Sequence, residues 1–241
     1  MRDEAGSTND EAALLAASGG MTLPFAVRAL RQTSGRGQAG RAWWSDSGSL
    51  ALTVALDPGA SGLRESQEPR VALATAACLA LRIGREIPAL AGQIGVRWPN
   101  DLEAGGRKVG GILTERAGGV LLVGVGLNVT TDFASATDDI RGMADSLAGL
   151  AGGSLGEDAP GRAAGWVCEE VERAVNGLTT SDAWLAEAWN RLDTLAGCPV
   201  RVERAGRLTE GIGLGIDADG CLRLGVRGGV EVVAAGRILR E

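Results

Sequence analysis

Arg107-Lys108-Val109-Gly110-Gly111-Ile112-Leu113-Thr114-Glu115-Arg116-Ala117-Gly118-Gly119-Val120-Leu121-Leu122-Val123-Gly124-Val125-Gly126-Leu127-Asn128-Val129 reads as two apolar strands, 107–115 and 120–129. Ala117-Gly118-Gly119 between them has the chemistry of a hairpin turn. Glycines recur on both strands, as Gly110 and Gly111 on one and Gly124 and Gly126 on the other. With no side chain to fill the space, such positions admit a flat ligand or allow tight sheet packing. This hairpin also contains the only lysine of the chain, Lys108, although Lys and Arg together number 24. Lysine presents a compact, hydrated point charge where arginine presents a planar fork, so the exception marks a position that needs the smaller head.

Outward from the hairpin, the N-terminal side reads as alternating helices and strands. Thr8-Asn9-Asp10-Glu11 has the pattern of a capping box and opens an Ala/Leu-rich helix that Gly19-Gly20 should end. Residues 25–30 and 49–56 read as strands, with a Gly/Arg/Ser loop over 31–47 between them. Residues 69–87 form a helix with a broad apolar face, and 94–98 a strand that Pro99 interrupts. On the C-terminal side, 130–139 is polar and expected to be mobile, and helices follow over 161–176 and 182–195. Beyond Leu195 the segments shorten and alternate, at 199–203, 210–216, 221–227 and 230–234. Turn chemistry at Asp217-Ala218-Asp219-Gly220 and Arg227-Gly228-Gly229 separates them, consistent with a small five-stranded barrel.

Composition narrows the function. The chain has 241 residues, 45% of them hydrophobic, enough for one large domain with a small appendage. Histidine is absent, which excludes a Ser-His-Asp or Cys-His nucleophile, a histidine-ligated metal and a histidine general base. A net charge of -6 argues against a general nucleic-acid binder. Four cysteines, Cys78, Cys168, Cys198 and Cys221, lie far apart and read as thiols of a reducing compartment, with a long-range disulfide left open by sequence alone. No apolar run reaches the length of about 18 residues that spans a bilayer, so a cytoplasmic location without membrane contact is expected.

Four constellations carry chemistry. In Gln32-Thr33-Ser34-Gly35-Arg36-Gly37-Gln38-Ala39-Gly40-Arg41 the glycines let backbone amides converge on an anion, and Arg36 and Arg41 add fork-shaped charge suited to phosphate. Ser7-Thr8-Asn9 sets three short polar side chains beside the exposed amides of a helix start, fit for a polar ligand head or for plain capping. Arg97-Trp98-Pro99-Asn100-Asp101 ends a strand in an aromatic, a proline and two polar groups, which also suits an Asx turn. The fourth is the Lys108 strand facing Gly124-Val125-Gly126-Leu127-Asn128-Val129.

In this order the motifs Ser-Thr-Asn-Asp, Gln-x-x-Gly-Arg-Gly-x-x-Gly-Arg-x-Trp, Trp-Pro-Asn-Asp, Arg-Lys-x-x-Gly-Ile-Leu and Gly-x-Gly-x-Asn-Val resemble the biotin protein ligases. The resemblance extends over nearly the whole chain, including Asp193-Thr194-Leu195-Ala196-Gly197 and the stretch from Gly215 to Leu222. It implies a mixed α/β catalytic domain of the biotin/lipoate ligase type over 1–195 and an SH3-like β-barrel over 196–241. It implies ATP-dependent, Mg²⁺-assisted conversion of biotin to biotinoyl-5′-AMP, then transfer to a lysine of a biotin carboxyl carrier protein. A ligase for another acyl acid such as lipoate, and a catalytically weak biotin-binding sensor, are the alternatives.

By the same resemblance Ser7, Thr8, Asn9 and Gln32 hold the ureido ring of biotin, and Arg36, Gly37 and Gln38 belong to the loop covering biotin and its phosphate neighbour. Lys108, with Gly110 and Gly111, sits by the biotin carboxylate, and Lys108 and Arg36 are the expected catalytic groups. Arg36, Arg41, Trp43, Asn100, Asp101 and Asn128 form the ATP side, Asn100 and Asp101 near the phosphates and Mg²⁺, with no residue assigned as a metal ligand. Three features depart from the family pattern. Gln38 stands where arginine is common, Arg97 where lysine often precedes Trp-Pro-Asn-Asp, and the first strand is expected to be short or absent. No helix-turn-helix region precedes Ser7, so a monofunctional enzyme without DNA binding is expected, and a homodimer is left open.

Overall fold

A computed structural model of the chain describes residues 1–156, 158–181 and 183–239. In chain order the elements are β1 (Arg2–Ala5), α1 (Thr8–Ala17), β2 (Phe25–Gln32), β3 (Ser49–Leu56), α2 (Val71–Glu86), β4 (Gly95–Arg97), β5 (Asp101–Ala104), β6 (Arg107–Ala117) and β7 (Val120–Asn128). They continue with α3 (Asp138–Met143), α4 (Leu147–Leu150), α5 (Ala159–Thr180), α6 (Trp184–Asn190), β8 (Pro199–Arg204), β9 (Arg207–Ile216), β10 (Leu222–Val226), β11 (Gly229–Val233) and β12 (Arg237–Ile238). The start of the helix expected over 182–195 lies outside the described residues, and the helix observed there ends at Asn190.

The first seven strands form one mixed sheet in the order β1-β2-β3-β7-β6-β5-β4. The 107–129 hairpin is its middle, with β6 and β7 paired from Gly110↔Leu127 to Ala117↔Val120. β1, present but only four residues long, adds to the edge parallel to β2. One face of the sheet is covered by α2 and α5, whose small and branched residues (Ala74, Ala76, Leu79, Ile83, Val167, Val171, Ala174) are buried with Leu50, Leu52, Val123 and Val125. The other face carries α1 at one end only, where Ala12 packs with Phe25, Val27, Ala55 and Leu122. This explains why every residue of β3 is buried although α1 is a short helix. The part of that face that α1 leaves uncovered is where a cavity opens.

Two local expectations change. The capping box does not form: the N-cap is Ser7, without a side-chain capping bond, and the Thr8 amide takes its bond from Gln32 Oε1 at 2.8 Å. And Pro99 does not end the strand region but sits in a turn, after which β5 runs back antiparallel to β4.

The C-terminal strands make a separate antiparallel sheet in the order β11-β10-β9-β8-β12. It is bound closely to the first. Asn190 grips Ile216 at both its amide and its carbonyl, and buried Arg70 donates to Ala218 O at 2.8 Å. Trp98, 2% exposed, donates its indole N–H to Gly220 O at 3.1 Å. Among the described residues no helix is long and apolar enough to cross a membrane.

Candidate functional site

The uncovered part of the sheet face holds a cavity of about 280 Å³. Its lining includes Ser7, Thr8, Asn9, Gln32, Arg36, Gly37, Gln38, Arg41, Trp43, Asn100, Asp101, Lys108, Gly111 and Asn128. All four constellations therefore meet at one place. Gly110 is the exception: a Cβ there would meet Leu127 Cδ2 at 2.6 Å and Leu102 Cδ1 at 3.1 Å, so it faces the core.

One end of the cavity is a polar knot. Gln32 Oε1 accepts from the Thr8 amide and, at 3.2 Å, from the Thr8 hydroxyl. Thr53, fully buried on β3, lies 2.6 Å from Asn9 Oδ1 and 2.8 Å from Thr8 Oγ1, and its single hydroxyl proton serves one of them at a time. Asn9 Nδ2 donates to Glu115 Oε2 at 2.6 Å. Gly124 is glycine for a visible reason, since a Cβ would run into Asn9 Oδ1. Gly35 is pressed likewise between Gln32 Nε2 and Trp43 O, both 2.8 Å from where a Cβ would be.

Lys108 lies mid-cavity. An extra residue, Val109, bulges between the pairs Glu103↔Lys108 and Leu102↔Gly110. The bulge breaks strict alternation, so Lys108 and Gly111 come to share the cavity face although they are three apart. A Cβ on Gly111 would approach Lys108 Nζ to 3.2 Å, so the glycine leaves the ammonium its room. Lys108 Nζ donates to Asp101 Oδ1 at 2.6 Å and lies 5.4 Å from the Trp43 ring centroid, a cation–π distance. The flat object over Gly126 is the Trp43 indole itself, with Cζ2 2.5 Å from where a Cβ would stand, and the indole nitrogen has no partner.

Asn100 and Asn128 are buried, and their amide groups serve the scaffold. Asn128 Nδ2 donates to Lys108 O at 3.2 Å and Asp145 O at 3.1 Å, and Asn100 Nδ2 donates to Ile112 O. The loop over the cavity is folded: Gly37 N donates to Arg41 O at 2.7 Å and Trp43 N to Gly35 O at 2.8 Å. Arg36 meets Asp10 through two bonds of 2.6 and 2.7 Å and has Glu115 at 3.7 Å. The guanidinium bond holds the Asp10 carboxyl below the usual carboxylate range, and the Arg36 proton is held still more firmly than usual by the same bond. An apolar wall closes the other side, where Trp44 stacks on Phe133 with centroids 5.5 Å apart and Ile140, Met143 and Ala144 follow. Sequence reading did not single out Asp10, Thr53, Glu115 or this wall. Their partners lie far off in sequence, and no local pattern signals them.

Known proteins show the same organisation. The profile of the biotin/lipoate A/B protein ligase family matches residues 9–132. A biotin–[acetyl-CoA-carboxylase] ligase of Mycobacterium tuberculosis is 34% identical over 98% of this chain and 86% of its own length. One from Paracoccus denitrificans is 32% identical over 96% of both chains. In fold, the chain resembles the biotin protein ligase from Aquifex aeolicus in complex with biotin and ATP, with TM-score 0.77, 21% identity, and coverage of 99% of this chain and 96% of that one.

Proposed function

The chain belongs to the biotin/lipoate A/B protein ligase family, and on that premise we infer that it is an ATP-dependent biotin–[acetyl-CoA-carboxylase] ligase. The observation that carries this reading is one cavity that joins a polar knot, a lone lysine and an arginine loop, in a chain similar along its length to two such ligases. Those two relatives favour biotin over lipoate as the acyl acid.

The reaction runs in two displacements. A biotin carboxylate oxygen attacks the α-phosphorus of ATP, a P–O bond forms, and the bond to the bridging oxygen breaks to release pyrophosphate. The ε-amine of a carrier lysine then attacks the biotinoyl carbonyl, AMP leaves, and the amine loses a proton. Neither step needs a protein nucleophile, so the chain's part is positioning and charge stabilisation. We assign the ureido ring to Ser7, Thr8, Asn9 and Gln32, because its donors and acceptor are costly to bury unpaired. Lys108 takes the carboxylate and the α-phosphate, where negative charge accumulates, and Arg36, Gly37, Gln38 and Arg41 cover the intermediate. Trp43 and the Trp44–Phe133 wall form the nucleotide side.

Mg²⁺ fits as an ion carried by the nucleotide. Asp101 is the one carboxylate lining the cavity, and no group of three or more His, Cys, Asp or Glu occurs among the described residues. Such an ion keeps its phosphate and water ligands and neutralises phosphate charge. We divide the chain into a catalytic unit, 1–195, and a small SH3-like unit, 196–241, in support of which the second sheet starts at Pro199. A cytoplasmic location accords with four free cysteines. Sedimentation with and without biotin and ATP reads out whether a homodimer forms.

The test is pyrophosphate release by the purified chain with Mg-ATP, with and without biotin, followed by biotin transfer to an added carrier domain. Release that does not depend on biotin, or release without transfer to any carrier, overturns the reading.

A further inference from the structure

Arg36 makes the only ion pairs of the segment 33–47 among the described residues, and both lead to carboxylates outside the cavity lining. Asp10 stands in the first turn of α1 and Glu115 on β6, so three separate elements meet at one guanidinium. The contact to Asp10 is a bidentate fork at 2.6 and 2.7 Å, a geometry that fixes the plane of the guanidinium as well as its position. Glu115 Oε2 also accepts from Asn9 Nδ2 at 2.6 Å, so the carboxylate beside Arg36 is the one that orients a side chain of the polar knot. The fork occupies one N–H on each terminal nitrogen, and guanidinium carries five, so donors remain for a ligand.

We propose that Asp10, assisted by Glu115, is a positioning residue that anchors Arg36 and its loop over the cavity and thereby retains the anionic intermediate. The role rests on the adenylation reading above. Asp10 does not compete with the ligand for Arg36. It holds the arginine at the cavity rim with its unused donors available, and it couples loop closure to the Asn9 end of the site through Glu115. The pair is partly exposed, so its effect on retention is modest, about two- to fivefold in rate as for other solvent-screened pairs.

The experiment compares the full chain with Asp10→Asn, Asp10→Glu and, as a control for net charge on the same helix turn, Glu11→Gln. Two quantities are read: hydrogen exchange of amides 35–43 without ligand, and dissociation of biotinoyl-AMP formed from biotin and Mg-ATP. The expectation for Asp10→Asn is faster exchange confined to the loop and about two- to fivefold faster escape, with partial rescue by Asp10→Glu and no change in Glu11→Gln. Unchanged exchange and escape in Asp10→Asn overturn the proposal, and slower escape overturns it by making Asp10 a competitor. If the unaltered chain forms no adenylate, the functional reading fails by itself, and the ligand-free exchange arm still decides whether Asp10 anchors the loop.

Discussion

The floor and the roof of the cavity are built on opposite terms. In the floor, Asn100 and Asn128 are buried and spend their donors on backbone carbonyls, one of which belongs to Lys108 itself. In the roof, a short hairpin loop rests on a half-exposed Arg36–Asp10 fork and on the Trp44–Phe133 stack. Buried, fully paired polar groups open only with large parts of the fold, whereas a loop held by screened contacts opens locally. The group proposed to meet the reacting atoms thus sits on the stiff part, and the groups proposed to retain the product sit on the part that must let it out.

The largest expected effect tests the floor. Lys108→Ala should lower kcat/KM for pyrophosphate release by about 3–4 kcal/mol, as removal of one stabilising donor does. Lys108→Arg is the sharper form, because Nζ fits between Asp101 Oδ1, the Trp43 ring and the Cα of Gly111, where a planar fork does not. A near wild-type rate in a folded Lys108→Arg protein would break the point-charge argument. Next comes Asn128→Ala, which strips donors from two carbonyls and should reduce unfolding free energy in urea by about 1–3 kcal/mol. If urea stability is unchanged, the floor is no stiffer than the roof and the contrast fails.

A smaller effect is expected in the roof. Gln38 lines the cavity and adds no charge to a loop facing an anionic intermediate. Gln38→Arg should slow biotinoyl-AMP escape by about two- to fivefold and lessen labelling of bystander lysines, leaving urea stability within about 0.5 kcal/mol. An unchanged escape rate would show that loop charge at this position does not govern retention.

What the sequence made legible follows the range of the interactions. The 107–129 hairpin, β3, α2 and α5 follow from apolar periodicity and turn chemistry, which are local. The residues drawn to the cavity were legible through ordered motifs, but the faces they occupy were not. Gly110 and Gly111 look equivalent in sequence, and only the Val109 bulge turns one to the core and the other to Lys108. β5 was hidden because Pro99 reads as a strand end when it is the corner of a turn back. Thr8-x-x-Glu11 satisfied a capping pattern, yet Thr8 and Gln32, 24 residues apart, find each other instead. Asp10 and Glu115 carried no signal, since their meaning depends on an arginine that only the folded loop brings near.

The smallest effect tests what lies beneath the floor. Asp193 follows α6 and bridges Val96 on β4, so it sits where the two sheets join. Burial pushes its carboxyl above the usual range, against the smaller opposing influences of the Leu195 amide and of Arg97. Its Oδ1 accepts from Leu195 N at 2.9 Å, while buried Oδ2 has no partner. A carboxyl raised in the folded state contributes stability when protonated, below its unfolded value, and that contribution is lost as pH rises through the folded value. At neutral pH the ionised form therefore carries a desolvation cost that an amide does not. Asp193→Asn, which keeps an oxygen for Leu195, should be slightly more stable than the unaltered chain in urea at pH 7, with the gain shrinking at about pH 4 and below. The opposite sign at pH 7 would mean that the Arg97 charge outweighs burial, and that the stiffness of the floor draws on an ion pair at its base.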